Sequence, residues 1–451
     1  VHTSAQSLAT KKINGRSDLR EEHVTQRTLS AGAASVIAAA LLSLPAFAEE
    51  PIKIGSSLPL TGNFAVTGKK HQEGFELCVK LINANGGLLG RKIELIVSDN
   101  RSDTETALNQ YERLINVDGA QITFGTFSSK LTFPVSALLA RNNRIHPVPS
   151  GGALRIWTQG HKNMFYFQQN AAEYTGETLT GAITKLVPAA NRPKTAALVH
   201  ADDFFANGIR AGLLGETVKM PGSGKLVADM APGFLAKAGI KTVYKETWPE
   251  EGFSDWLNLA NSIKRSGAEL VIGLTASAEE AVQLTRALKT VKAQPKMIYL
   301  SQGTQSEYEE GLGADSEAVL IHTSWHADVP FKGLLNGKEF TNKDFQAAFK
   351  KQFGRDADED SAIPFAVCQG VEQAVRAVKT TDNAKLGEWL SARTPQNPVK
   401  TVLGNFAWDK RGLPIDRPFL LAQWQGRKLK FVYPTGEFEG VSKLVYPKPQ
   451  W

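Results

Sequence analysis

Apolar and polar positions along this chain switch repeatedly between two periods. Short apolar runs bounded by polar loops predict buried strands, and apolar residues returning every three or four positions predict helices. From Ile52 the order is strand, loop, helix. Residues 52–56 form the first run, and a Gly-containing loop from Pro59 to Gly68 follows. A helix is predicted over 70–83, with Phe75, Leu77, Cys78, Leu81 and Ile82 on its apolar side. Asn85-Gly86-Gly87 ends it, since Gly accepts the left-handed stop. Runs at 93–98, 122–124, 145–148 and 164–167 bring the count to five strands. Asp103 stands where it can cap the helix carrying Ala107, Tyr111, Leu114 and Ile115.

The alternation then starts again. Runs at 196–199, 242–246, 270–274, 297–300 and 319–322 are separated by helical patterns. Residues 213–239, with Pro221-Gly222-Ser223-Gly224, read as a surface insertion. Late helices are expected over 344–353 and 363–378, and the tail from 406 to 447 is strand-like around a turn at Trp408 to Gly412. Strands separated by helices predict parallel sheets with right-handed crossovers and helices on both faces. The fold class is therefore α/β, with two doubly wound lobes. Ligands of open parallel sheets sit at the carboxyl ends of the strands, so two facing lobes make a cleft that a hinge can close.

Ahead of this pattern lies a different one. Arg27 precedes a short apolar stretch, Ala33 to Leu44, and Ala46-Phe47-Ala48 is a small-x-small cleavage signal. The expectation is a secretory signal cleaved after Ala48, and hence a periplasmic protein. No Cys follows that site to carry a lipid anchor, and Gln26-Arg27 is not a twin-Arg pair.

Charge changes the picture little. The chain of 451 residues carries 52 Lys and Arg against 45 Asp and Glu, a net +7 that is scattered rather than clustered. That pattern argues against a nucleic-acid groove. The two cysteines, Cys78 and Cys368, each sit in an apolar helical pattern, and buried free thiols are the simpler reading, although export permits a disulfide. Two cysteines alone do not make a structural zinc site.

Six segments in order carry a resemblance: IKIGSSLPLTGNFAVTG, LINANGGLLGRKIELIVSDN, FGTFSS, HADDFFANG, DWLNLANSIKRSGAELVIGL and LGNFAWDKRGLPIDRPFLLAQWQGRKLKFVYP. With them the chain from Pro51 to Pro447 resembles the branched-chain amino-acid-type (Leu/Ile/Val-binding-like) periplasmic substrate-binding proteins of ABC importers. The resemblance implies the type I two-lobe fold with a three-crossing hinge, near 168–170, 324–328 and 410–417. The lobes would then be 51–169 with 326–410, and 170–325 with 411–451. It also implies a small-molecule ligand, an inner-membrane ABC permease as partner, a monomer, and neither cofactor nor metal.

Candidate ligand-binding positions follow strand ends. Phe127, Ser128 and Ser129 come between a strand and a helix, where hydroxyls and free N–H groups suit a carboxylate. Ser150, Gly151 and Gly152 follow the next strand. The resemblance makes both loops carboxylate-binding, although relatives often carry Thr where Gly152 stands. Phe64 is a candidate wall, and Thr67 marks a position where relatives often place Tyr. After the first strand of the second lobe, Asp202 or Asp203 is either an acid for a ligand amine or a helix cap. Phe205 is the candidate aromatic lid, with core packing of one of Phe204 and Phe205 as the alternative. Gln302 and its neighbour Ser301 stand where amino-acid-binding relatives place a carboxylate for the ammonium. An unpaired ammonium in a dry cleft is costly, so an amine-free acid or an amide is favoured. Trp325 stands beside the second crossing, as an aromatic at the hinge mouth or as structural packing.

No nucleophile-elbow serine and no GxxxxGK loop is present, and His322 and His326 sit too far apart on a strand for one metal. The expectation is a receptor that captures a small carboxylate-bearing molecule and delivers it to a permease, rather than an enzyme. A ligand-binding sensor for a signalling partner is the alternative.

Overall fold

The computed structural model describes residues 49–220, 222–227, 233–417, 419–436, 438 and 440–451. The expected leader over residues 1–48 lies outside the described residues. In the first lobe β1 (Ile52–Leu58) runs parallel to β2 (Ile93–Asp99) on one side and β3 (Ile122–Thr123) on the other. Ile52, Ile54 and Leu58 are buried under helix α1 (Ala65–Ala84) and its neighbours. Asp103 caps α2 (Thr104–Asn116) by accepting the Thr106 N–H. Helix α3 (Ser129–Arg141) leaves the end of β3.

The expected five-stranded sheet is not continuous. β4 (His146–Val148) and β5 (Met164–Tyr166), with the short α4 (Leu154–Trp157) between them, pair with each other and form a separate parallel ladder. The two ladders meet where Gly125 N–H donates to Pro147 O at 3.0 Å. Proline has no N–H to return a bond, so the ladder breaks there.

The second lobe is one mixed sheet. Its parallel part is β6 (Thr195–Ala201), β7 (Lys241–Trp248), β8 (Leu270–Leu274), β9 (Met297–Leu300) and β10 (Val319–Thr323). Helix α5 (Thr175–Leu186) precedes β6, and between the strands come α6 (Phe204–Leu214), α7 (Phe234–Lys237), α8 (Trp256–Ser266), α9 (Ala278–Thr290) and α10 (Ser306–Leu312). The chain then returns to the first lobe. There it forms hairpins β11 (Lys332–Leu335) with β12 (Lys338–Thr341), and β13 (Val399–Thr401) with β14 (Gly404–Phe406). It also adds α11 (Asn342–Phe353), α12 (Glu359–Val378) and α13 (Asn383–Ser391). Finally β15 (Leu420–Gln425) and β16 (Lys428–Tyr433) extend the second sheet antiparallel, giving the order β16-β15-β10-β9-β8-β6-β7. Among the described residues no helix is long and apolar enough to cross a membrane.

The free-thiol expectation is corrected. Cys78 and Cys368 form a disulfide, with Cα atoms 6.3 Å apart. The two apolar helix faces that seemed to bury them separately pack against each other, α1 on α12. Gly74 allows this approach, since a Cβ there would lie 2.2 Å from Ser361 O.

Two crossings between lobes are tied together. Gln169 Nε2 donates to Ser324 O at 2.7 Å, and Ser324 Oγ donates to Gln168 Oε1 at 3.2 Å. The third falls later than residue 410. Tyr166 N–H donates to Gly412 O at 3.0 Å, and the Arg417 guanidinium donates to Asn405 O at 3.1 Å. Residues 411–417 therefore stay with the first lobe, and the sheet of the second lobe resumes at Leu420.

Candidate functional site

The carboxyl ends of β3, β4 and β5 face those of β6, β8, β9 and β10 across a narrow cavity. Turning residues at these strand ends supply its walls, as the architecture dictates. On the first-lobe side Ser128 is the N-cap residue of α3, with extended backbone. Its hydroxyl makes no capping bond, and Ser128 Oγ is buried without a partner among the described residues. A buried hydroxyl with nothing to bind is costly, so this atom has hydrogen-bonding capacity to spare on the cavity side. It stands where the free N–H groups and the positive end of a 13-residue helix point the same way.

The neighbouring hydroxyls are less available. Ser129 Oγ accepts a long bond from Ala153 N–H at 3.5 Å. Ser150 Oγ accepts from Gln168 Nε2 at 3.3 Å and faces His71 Nε2 at 3.4 Å. His71 Nδ1 stands 3.1 Å from Thr67 O and must carry the ring hydrogen, so Nε2 takes the Ser150 proton. Burial pushes His71 down to about 4 and keeps it neutral. Ser150 is thus a held group, and Ser128 is the open donor.

Aromatic side chains close the rest. Phe64 and Phe127 meet edge to face at 5.6 Å, and both line the cavity. Phe205 comes from the opposite lobe. Its neighbour Phe204 turns away, under the Arg155 guanidinium at 3.4 Å. Gly152 has a physical reason to lack a side chain: a Cβ would sit 2.7 Å from the Phe205 ring and 3.0 Å from the Tyr166 hydroxyl.

Asp203 is both a cap and a wall. Its Oδ1 accepts from Phe205 and Ala206 N–H at 2.8 and 2.9 Å, and burial pushes its carboxyl up to about 6. Gln302 and Ser301 also line the cavity, with Ser301 Oγ donating to Thr275 O at 3.0 Å.

Two expected contacts lie elsewhere. Trp325 is packed in the first-lobe core, its ring on Phe345 and its Nε1 donating to Asn342 Oδ1 at 2.7 Å. It does not line the cavity. Thr67 faces a shallower groove outside Phe64, and its hydroxyl donates to Asp360 Oδ2 at 3.3 Å.

The sequence reading missed the first turn of α12. Glu359 and Asp360 line the cavity at its hinge side. Ser324 N–H donates to Glu359 Oε1 at 2.6 Å, and Gln305 Nε2 donates to Asp360 Oδ2 at 2.8 Å. Burial first, then the neighbouring acids, push Glu359 up to about 7 and Asp360 up to about 6. Lys70 lies beside them, 2.7 Å from Asp358 and 2.6 Å from Glu307 of the second lobe. Burial works against its charge, but these carboxylates outweigh it and hold the ammonium above its usual value. Acids therefore line the cavity from the first turn of α12 as well as from Asp203, while the turn after β9 supplies Ser301 and Gln302.

This fold and cleft define a two-lobed solute-binding protein of the type I periplasmic class. Residues 51–428 match the family described as "Periplasmic binding protein", and the chain belongs to it. It is 26% identical over 424 residues to a "Leu/Ile/Val-binding protein homolog 7" of Brucella suis, covering 91% of this chain and 98% of that one. An "Amino acid binding protein" of Pseudomonas aeruginosa is 24% identical, with 90% and 98% covered. Among solved structures, LivJ of Streptococcus pneumoniae in complex with isoleucine superposes with a TM-score of 0.69 at 17% identity, covering 85% of this chain and 100% of that one. A solute-binding protein of R. palustris in complex with benzoate gives 0.69 at 19%, with 87% and 99% covered.

Proposed function

We propose that this chain is an extracytoplasmic receptor that captures a small carboxylate-bearing solute between its lobes and hands it to an ABC permease. The observation that carries the reading is Ser128 Oγ, buried without a partner at the N-terminus of α3. A ligand carboxylate there satisfies that hydroxyl and the free N–H groups together. The two complexes named above hold isoleucine and benzoate, which share only a carboxylate and an apolar body. The cavity matches that pair, with its serine end and its Phe64, Phe127 and Phe205 walls.

The second reading concerns the amine. Ser301 and Gln302 favour an amine-free acid or an amide, whereas Glu359 and Asp360 offer partners for an ammonium. A thermal-shift panel separates them, because a ligand at 1,000 times its dissociation constant stabilises the folded state by about 4 kcal/mol. Shifts with Leu, Ile or Val support the ammonium role of α12. Shifts confined to aromatic or aliphatic acids support the amine-free reading. A panel in which no carboxylate acts contradicts the proposal.

A further inference from the structure

We propose that His322 is a specificity residue whose neutral Nε2–H group binds an uncharged acceptor oxygen of the ligand, at the end away from the carboxylate. The inference rests on the carboxylate reading above and assigns the other end of the same ligand: a monocarboxylic acid bearing a ketone, amide or hydroxyl oxygen.

The geometry fixes the tautomer. His322 is the penultimate residue of β10 and lines the cavity, with Nδ1 2.7 Å from the Tyr299 hydroxyl. Tyr299 is fully buried, and among the described residues its hydroxyl has no other partner. If Nδ1 carried the hydrogen, the tyrosine hydrogen would be left buried with nowhere to go. The hydroxyl therefore donates to Nδ1, and the ring hydrogen sits on Nε2. Among the described residues Nε2 has no protein partner either. The ring is held by Phe419 edge to face at 5.2 Å and by Phe205 at 6.2 Å. Burial pushes the imidazole down to about 3, so it stays uncharged across the physiological range.

The environment also selects what it binds. Asp203, Glu359 and Asp360 line the same cavity, so a second anionic group on the ligand meets carboxylates there. A neutral oxygen takes the Nε2 hydrogen without that repulsion. Tyr299 acts as a positioning residue, through the ring.

The test is calorimetric titration of the purified protein with matched acids: pentanoate against 4-oxopentanoate, benzoate against 4-hydroxybenzoate, and butanoate against succinamate. The expected result is that the oxygen-bearing member of at least one pair binds about tenfold more tightly. In His322→Phe that preference falls to about one. Nitrogen-correlated NMR of the imidazole provides a readout independent of any ligand: Nε2–H in wild type, and a mixture in Tyr299→Phe. A preference that survives His322→Phe, a wild type with no preference in any pair, or an Nδ1–H tautomer overturns the inference and leaves the carboxylate reading standing. Refusal of all six acids overturns the inference, and the carboxylate reading falls with it only if Leu, Ile and Val are refused as well.

Discussion

Lys130, the second residue of α3, sets its ammonium 2.7 Å from Glu250 Oε2 on the opposite lobe. The pair bridges the two lobes, one helical position after Ser129. Asn63 Nδ2 reaches Glu250 O at 3.4 Å beside it. Both charged partners are partly exposed, so the pair contributes modestly to closure. Glu250→Gln is expected to weaken ligand binding about threefold, with most of the loss in a faster off-rate. The difference from wild type should shrink as salt is raised. Stopped-flow binding at two ionic strengths checks this, and equal off-rates would refute a closing role.

The disulfide gives a stability prediction. It joins residues 290 apart and pins α1 to α12, the helix whose first turn supplies Glu359 and Asp360. Replacing both cysteines with Ala should lower the unfolding free energy by about 3 kcal/mol. Urea unfolding of the ligand-free protein measures it, and no change would remove the bond from the account.

Gly152 tests how tightly the lobes meet. Gly152→Thr puts a side chain where a Cβ alone lies 2.7 Å from Phe205. The expected outcome is binding weakened by about fivefold to a hundredfold, since overpacking on this scale costs about 1–3 kcal/mol. Unfolding of the ligand-free protein in urea tells cleft obstruction from misfolding.

Glu359 sets a pH dependence. Its folded pKa is raised to about 7, so the folded protein holds a proton that the unfolded chain has released. Stability from this group is fully present at acid pH and is lost as pH rises toward 7. Asp203 and Asp360, pushed up to about 6, act in the same direction. Between about pH 4.5 and pH 7 the Glu359→Gln variant should lose less stability than wild type. Parallel slopes in urea midpoints across that window would show that Glu359 does not titrate there.

The sequence made the alternation of strands and helices legible because the apolar runs are short and their spacing is regular. Caps such as Asp103, and the loop serines Ser128 and Ser129, were readable for the same reason: each lies beside the element it serves. What escaped reading depends on residues far apart in the chain. Cys78 meets Cys368 only because α12 returns to α1 after the whole second lobe. Glu359 and Asp360 sit in the polar first turn of α12, so the apolar period places the helix start at 363 and hides them. Trp325 lies beside a crossing, but its indole N–H finds Asn342 and its ring joins the first-lobe core. The break between β3 and β4 follows from Pro147, a residue visible in the sequence whose consequence shows only once its neighbour strand is known.

The most direct test of the central claim is titration calorimetry on Ser128→Ala/Ser129→Ala, using the acid that gives the largest thermal shift in wild type. Both hydroxyls lie at the helix terminus assigned to the ligand carboxylate, and only Ser128 Oγ lacks a partner. The account predicts binding weakened by about 1–3 kcal/mol with the ligand-free melting temperature little changed. Full affinity in the folded double variant would contradict it.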